Sequence, residues 1–288
     1  MPTILLFDVD GTLVTTDGVG RRAIEKAFER RHGRRDVVSF SFAGMTDKAI
    51  VRDGLLALGK RFASETELQI EMDATLAFYL RVLEEEAATA SGIRVHDGIM
   101  RALDLAEARP EVALGLGTGN LREGARIKLG HAGIYHRFTF GGFGDDSIDR
   151  PEILASGARR GAAQLGKPLE ACRVVVVGDT PKDIAAAQAI GAECVAVATG
   201  MHSVAELEPH ACARLCHPGR PPRRRCPVRG LMFAGWFGVD RHTSQVGDLR
   251  AQILFDALGE GMRVLDGRRG PQGAMKGDRQ FVSGAPDA

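Results

Sequence analysis

The sequence contains no apolar run near the roughly 18–20 residues needed to cross a bilayer. No basic leader precedes its first apolar stretch, Ile4-Leu5-Leu6-Phe7. Neither a membrane span nor a secretory signal is expected, and the chain reads as cytoplasmic. Cysteine is scarce, with five among 288 residues. That number is small and odd, so Cys172 and Cys194 are read as reduced core thiols rather than parts of a disulfide framework. No charge of one sign dominates either. The formal net charge is +1, which gives no overall pull toward nucleic acid or membrane. What basic excess there is lies in residues 201–288, with arginines clustered at 220–225 and no aromatics among them. A solvated tail, with no nucleic-acid partner, is the expectation there.

What the chain has is alternation. Ile4–Phe7, Val112–Leu116, Arg173–Val177 and Cys194–Ala198 are short apolar runs ending at Gly or Asp, and they read as buried strands. Ile99–Ala108, Glu123–His131, Pro151–Leu165 and Lys182–Ile190 read as the helices between them. Strands that are almost wholly apolar, alternating with helices, predict a parallel sheet covered on both faces. A ligand then belongs beyond the carboxyl ends of those strands. Residues 15–90 differ. Ile24/Ala27/Phe28 and Leu68/Met72/Leu76/Leu80/Leu83 follow helical spacing, and no buried strand is evident. This stretch predicts a helical cap inserted into a core made of residues 1–14 and 91–210, hinged at Thr15–Gly20 and Thr89–Gly98. Residues 211–288 form an Arg/Gly/Pro-rich tail of weak periodicity, read as irregular or disordered. Within it, Cys212, Cys216, His217 and Cys226 fit no common structural zinc spacing.

Three polar clusters fall at expected strand ends. In Asp8-Val9-Asp10-Gly11-Thr12 the two carboxylates are two apart, so in extended chain both point to one side. In Gly117-Thr118-Gly119-Asn120 a hydroxyl and backbone amides stand before a helix. That suits a phosphate, and equally an ordinary strand–helix turn capped by Asn120. In Gly178-Asp179-Thr180-Pro181-Lys182-Asp183 two carboxylates four apart could hold a hard cation, although Asp183 alone could simply favour a helix N-terminus.

The order of these motifs, with a basic residue before Pro151-Glu152, resembles the haloacid dehalogenase superfamily over residues 1 to about 208. The resemblance implies a Rossmann-like core with a helical cap of the phosphoglycolate-phosphatase type. It implies Asp8 as nucleophile, Asp10 as general acid and base, and Thr118 as the hydroxyl that binds a phosphoryl oxygen. Mg²⁺ would be held by Asp8, the backbone carbonyl of Asp10, and Asp179, with Asp183 beside or just behind it. The family usually has Lys before the proline. Here Arg150 takes that place, with Lys128 as the rival and a solvated role more usual for it. Gly11, Thr12, Gly119 and Asn120 are the expected substrate contacts, joined by Thr46 of the cap loop Gly44-Met45-Thr46-Asp47.

The expected function is a Mg²⁺-dependent phosphatase acting on a small phosphorylated metabolite, phosphoglycolate-like or a sugar phosphate, as a monomer or homodimer. A phosphotransferase such as a sugar-phosphate mutase and a non-catalytic member with a damaged C-terminus are the alternatives. Carbon–halogen hydrolysis is disfavoured by Asp10. The foreign composition after His210 suggests a shifted reading frame or an unrelated extension. The coding DNA tests this, because a one-base shift near codons 208–217 must restore an apolar strand and helix.

Overall fold

The computed structural model describes residues 1–212 and the two-residue strand Met232–Phe233. The expectations for the Arg/Gly/Pro-rich tail, and those for Cys216, His217 and Cys226, lie outside the described residues. Strands β1 (Thr3–Phe7) and β2 (Val14–Thr15) precede helices α1 (Val19–His32), α2 (Asp47–Ala57) and α3 (Glu65–Thr89). Then come β3 (Arg94–Val95), α4 (Ile99–Glu107), β4 (Val112–Gly117), α5 (Arg122–His131) and β5 (Gly141–Gly142). The chain continues through α6 (Arg150–Leu165), β6 (Arg173–Gly178), α7 (Pro181–Ala189), β7 (Glu193–Val197), α8 (Val204–Cys212) and β8 (Met232–Phe233).

The main sheet has the order β5-β4-β1-β6-β7-β8, and all its pairings are parallel. β1 lies inside the sheet and is buried along its whole length, so both its faces must be apolar. Leu5 and Phe7 join one cluster with Leu103 of α4 and Leu129 of α5. Ile4 and Leu6 join the other with Leu154 of α6 and Ile184 of α7. Helices therefore cover both faces, as near-continuous apolar strands require. The register matters most. Phe7 pairs with Leu116 on one side and Val177 on the other. Asp8, Thr118 and Asp179 thus emerge together where three neighbouring strands end.

The three helices between β2 and β3 have an apolar cluster of their own, centred on Phe28, Leu55, Met72, Tyr79 and Leu83. Leu121 and Ile127 of the α5 region pack into it from the core side. On α3 Leu68, Met72, Leu76 and Leu83 are buried as expected, but Tyr79 is buried where Leu80 was expected and Leu80 is only partly so, which rotates the apolar stripe slightly. Ser64 and Thr46 start α3 and α2 as N-caps, accepting from Glu67 N at 3.2 Å and Ala49 N at 3.1 Å. β2 and β3 form a small antiparallel pair, Val14 with Val95 and Thr15 with Arg94. It ties the two chain crossings between the core and these helices, where no strand was expected. Just beyond it Asp17 has φ 48°, a left-handed conformation unusual for a non-glycine residue. No helix among the described residues is long and apolar enough to cross a membrane.

Candidate active site

A cavity of about 300 Å³ lies between the strand ends and the three-helix insertion. Its floor carries Asp8, Asp10, Thr118, Asn120, Arg150 and Asp179. Asp8 is 6% exposed, and its Oδ2 lies 2.8 Å from Arg150 Nη2. The same nitrogen is 2.5 Å from Asp183 Oδ1. Arg150 is the first residue of α6, with Pro151 behind it. A proline there costs no helical hydrogen bond and fixes the turn that sends the arginine inward. Arg150 Nε and Nη2, and Asp183 Oδ1, are buried without an aligned hydrogen-bond partner. Nη2 is engaged by both carboxylates, and Nε is left without a partner.

The acidic residues sort into two groups. Asp8, Asp179 and Asp183 each offer an oxygen, and these atoms lie within 4.8 Å of one another. Burial pushes the Asp8 carboxyl up to about 6, with Arg150 opposing the rise. Burial pushes Asp179 up to about 8, and the nearby Asp8 and Asp183 charges add to it. Three crowded carboxylates with one unpartnered oxygen are the donor set a hard divalent cation requires. Asp183 is also structural. It closes a capping box with Thr180 at the start of α7, accepting from Thr180 N at 3.0 Å and from its Oγ1 at 2.7 Å. Its other oxygen therefore points to the cluster.

Asp10 belongs to a separate network. Lys128 Nζ donates to Asp10 Oδ2 at 2.6 Å and to Asn120 Oδ1 at 2.5 Å. Asn120 Nδ2 donates to the same Asp10 oxygen at 2.9 Å, and Thr16 Oγ1 donates to Asp10 Oδ1 at 3.1 Å. Burial raises the Asp10 pKa, but Lys128 and these donors outweigh it and hold the group below its ordinary value. Lys128 is 4% exposed, so the solvated role expected for it does not hold. The signal was present: Leu121, Gly124, Ala125 and Lys128 share one helical face at spacings of three and four. Arg150 and Lys128 both reach the site and serve different carboxylates.

Of the expected substrate contacts, Asn120, Gly11 and Gly119 line the cavity. Gly11 has φ 80°, and a Cβ there would lie 2.4 Å from Asp179 Oδ2. A Cβ on Gly119 would lie 2.7 Å from Met45 O of the cap loop. Both glycines let backbone approach closely, which a side chain would block. Thr12 Oγ1 instead donates to Asp179 Oδ1 at 3.1 Å, and so orients that carboxylate. The Thr46 hydroxyl accepts from Ala49 N and donates to Ile148 O at 3.3 Å. It caps α2 and ties the loop to the core, off the main cavity.

Tyr79, Asp47 and Arg21 of the inserted helices also face the cavity, and of these only Asp47 falls in a motif, the cap-loop tetrapeptide. Tyr79 is fully buried, and its hydroxyl has no hydrogen-bond partner. Asp47 Oδ2 accepts from Leu121 N at 2.8 Å, reaching across to the start of α5, and burial raises its carboxyl to about 6. Arg21 stacks on Phe42 with its Cζ 3.9 Å from the ring centroid.

No curated protein sequence shows significant similarity to the chain. Solved structures do show the fold. A predicted phosphatase from Clostridium acetobutylicum superposes with TM-score 0.55 at 16% identity, covering 88% of this chain and 99% of its own. CbbY from Rhodobacter sphaeroides, solved with phosphate, gives 0.50 at 20% identity, covering 70% and 89%. A predicted phosphoglycolate phosphatase from Haemophilus somnus 129PT gives 0.50 at 20%, covering 69% and 86%. Residues 2–191 match the haloacid dehalogenase-like hydrolase family profile. With that match spanning the strand-end motifs and the inserted helices, the chain belongs to the haloacid dehalogenase-like hydrolase family.

Proposed function

We propose that this hydrolase is a Mg²⁺-dependent phosphatase that cleaves a small phosphorylated metabolite through an aspartyl-phosphate on Asp8. One observation carries the reading. Asp8 is a buried carboxylate facing the cavity, paired at 2.8 Å with an arginine whose Nε–H has no partner. A planar guanidinium with a spare donor suits a phosphoryl group beside its nucleophile. The cluster of Asp8, Asp179 and Asp183 fits the cation, which when bound would neutralise charge on the phosphoryl oxygens and on Asp8.

The chain's own residues would do the rest. With a pKa of about 6, Asp8 is ionised at neutral pH and can attack phosphorus as the ester P–O bond breaks. In its protonated form, which the lowered pKa makes the minor one at rest, Asp10 gives its proton to the leaving oxygen and becomes a carboxylate. In the second step Asp10, again a carboxylate, removes a proton from water. The water oxygen then bonds to phosphorus, and Asp8 and inorganic phosphate are released. Lys128 and Asn120 stabilise the ionised form of Asp10, which favours the second step. Thr118, buried beside Asp8, offers a hydroxyl to a phosphoryl oxygen. The inserted helices act as a cap that excludes bulk water from the cavity.

The test is turnover of a panel of phosphomonoesters with Mg²⁺ and with EDTA, for the wild type and Asp8→Asn. Metal-independent turnover, or full activity in the variant, rejects the mechanism.

A further inference from the structure

The cap side of the cavity bears on what the phosphoryl group is attached to. Ile24, Phe42, Met45, Ile50 and Tyr79 form this wall, against a floor of carboxylates, amide and hydroxyl. Three cations line the cavity among the described residues, and each is already engaged. Arg150 serves Asp8 and Asp183, and Lys128 serves Asp10 and Asn120. Arg21, the only one on the cap, donates to Val38 O at 3.3 Å and Phe40 O at 2.8 Å and lies 3.7 Å from Glu25. Asp47 adds a carboxylate on the same side. A second anionic group on the substrate would therefore be taken out of water with no free cation to meet it, which is strongly unfavourable. An apolar body would instead be buried with gain. Of the polar side chains on this wall, Arg21 and Asp47 are paired and Ser41 accepts from Ala43 N, which leaves the Tyr79 hydroxyl, fully buried and unpartnered. At about 300 Å³ the cavity is at the small end for ligand sites.

From this wall we infer that the site selects phosphomonoesters whose leaving group is small, uncharged and largely apolar, with at most one hydrogen-bonding atom for Tyr79. It disfavours those carrying a carboxylate or a second phosphate. The inference rests on the phosphatase reading and narrows its substrate class, away from phosphoglycolate and sugar bisphosphates.

The experiment measures kcat/KM of the full chain with Mg²⁺ for n-butyl and phenyl phosphate, glycerol phosphate, phosphoglycolate and fructose 1,6-bisphosphate. The apolar esters are expected to exceed the two anionic ones by at least about tenfold, the discrimination that unpaired buried charge produces. Met45→Lys, which adds a cation to a partly exposed position of the wall, should narrow that gap. Turnover that EDTA and Asp8→Asn abolish, but that phosphoglycolate or the bisphosphate leads, overturns this inference and leaves the phosphatase reading standing. No turnover of any ester overturns both.

Discussion

The sheet and the cap are built on different terms. β1 is buried along its length and shares its side chains between two clusters, so its position is set from both faces. The cap helices bury one stripe each, in a cluster that meets the core mainly through Leu121 and Ile127 of the α5 region. The sheet therefore holds Asp8, Thr118 and Asp179 in fixed register. The cap wall is joined through a two-residue strand pair and a few polar ties. The proposed chemistry sits on the sheet, and the proposed selection sits on the inserted helices. Rigid elements hold reacting groups more closely than loops do.

The largest expected effect tests the catalytic side of this contrast. Asp8→Asn keeps the shape and removes the proposed nucleophile, so turnover should fall by about four orders of magnitude or more, while thermal unfolding stays cooperative. Steady-state rates and a melting curve check both halves. A second pair of variants asks whether core and cap are separable. Phe7→Ala in β1 and Phe28→Ala in α1 each empty a fully buried site and should cost about 3–5 kcal/mol. Hydrogen exchange should accelerate everywhere for the first and chiefly in α1 and α3 for the second. Uniform loss of protection in both would mean the two parts unfold as one.

Smaller effects probe the residues between the two. Lys128→Met removes the charge that holds Asp10 low, so the acid limb of the pH–rate profile should move upward. The rate at neutral pH should fall by about 10²-fold. An unmoved profile would leave Lys128 a structural cation only. Asp47 gives the mildest prediction. Its folded pKa of about 6 lies above its usual value of 3.8, so the folded state binds the proton more tightly. Stability from this group is then highest below about pH 4 and declines as pH rises to about 6. Asp47→Asn keeps an acceptor for Leu121 N and loses the penalty. It should be more stable than the parent at pH 8 by about 1–3 kcal/mol, and equal to it below about pH 4, by denaturant titration.

Much of the core was legible in the sequence because its apolar runs are unbroken. The strands at Thr3–Phe7, Val112–Gly117 and Arg173–Gly178 lie within a residue or so of where composition puts them. The pairs β2/β3 and the strand Gly141–Gly142 were not, since two residues carry no period and two glycines carry no strand preference. In the site, Asp8, Asp10, Thr118 and Asp179 could be found because each follows a strand. Tyr79 could not, because in a helical stripe of Met72, Leu76 and Leu83 it reads as one more apolar residue. Nothing local reveals that its hydroxyl ends in a cavity. Asp47 lay in a tetrapeptide already noticed, but its partner, Leu121 N, is distant in sequence.

That last contact has a thermodynamic consequence for the resting protein. The first amides of α5 have no intrahelical acceptor, and Leu121 N–H finds its own on the cap. Separating the inserted helices from the core would break this charge-assisted hydrogen bond, and would also relieve the burial that raises the Asp47 carboxyl to about 6. The start of α5 is thus tied to the inserted helices through one carboxylate oxygen. This tie acts together with the bonds from Thr46 to Ile148 O, Lys48 to Asp145 O and Asp47 N to Gly119 O, so the strand ends and the inserted helices are held by several ties that must break together.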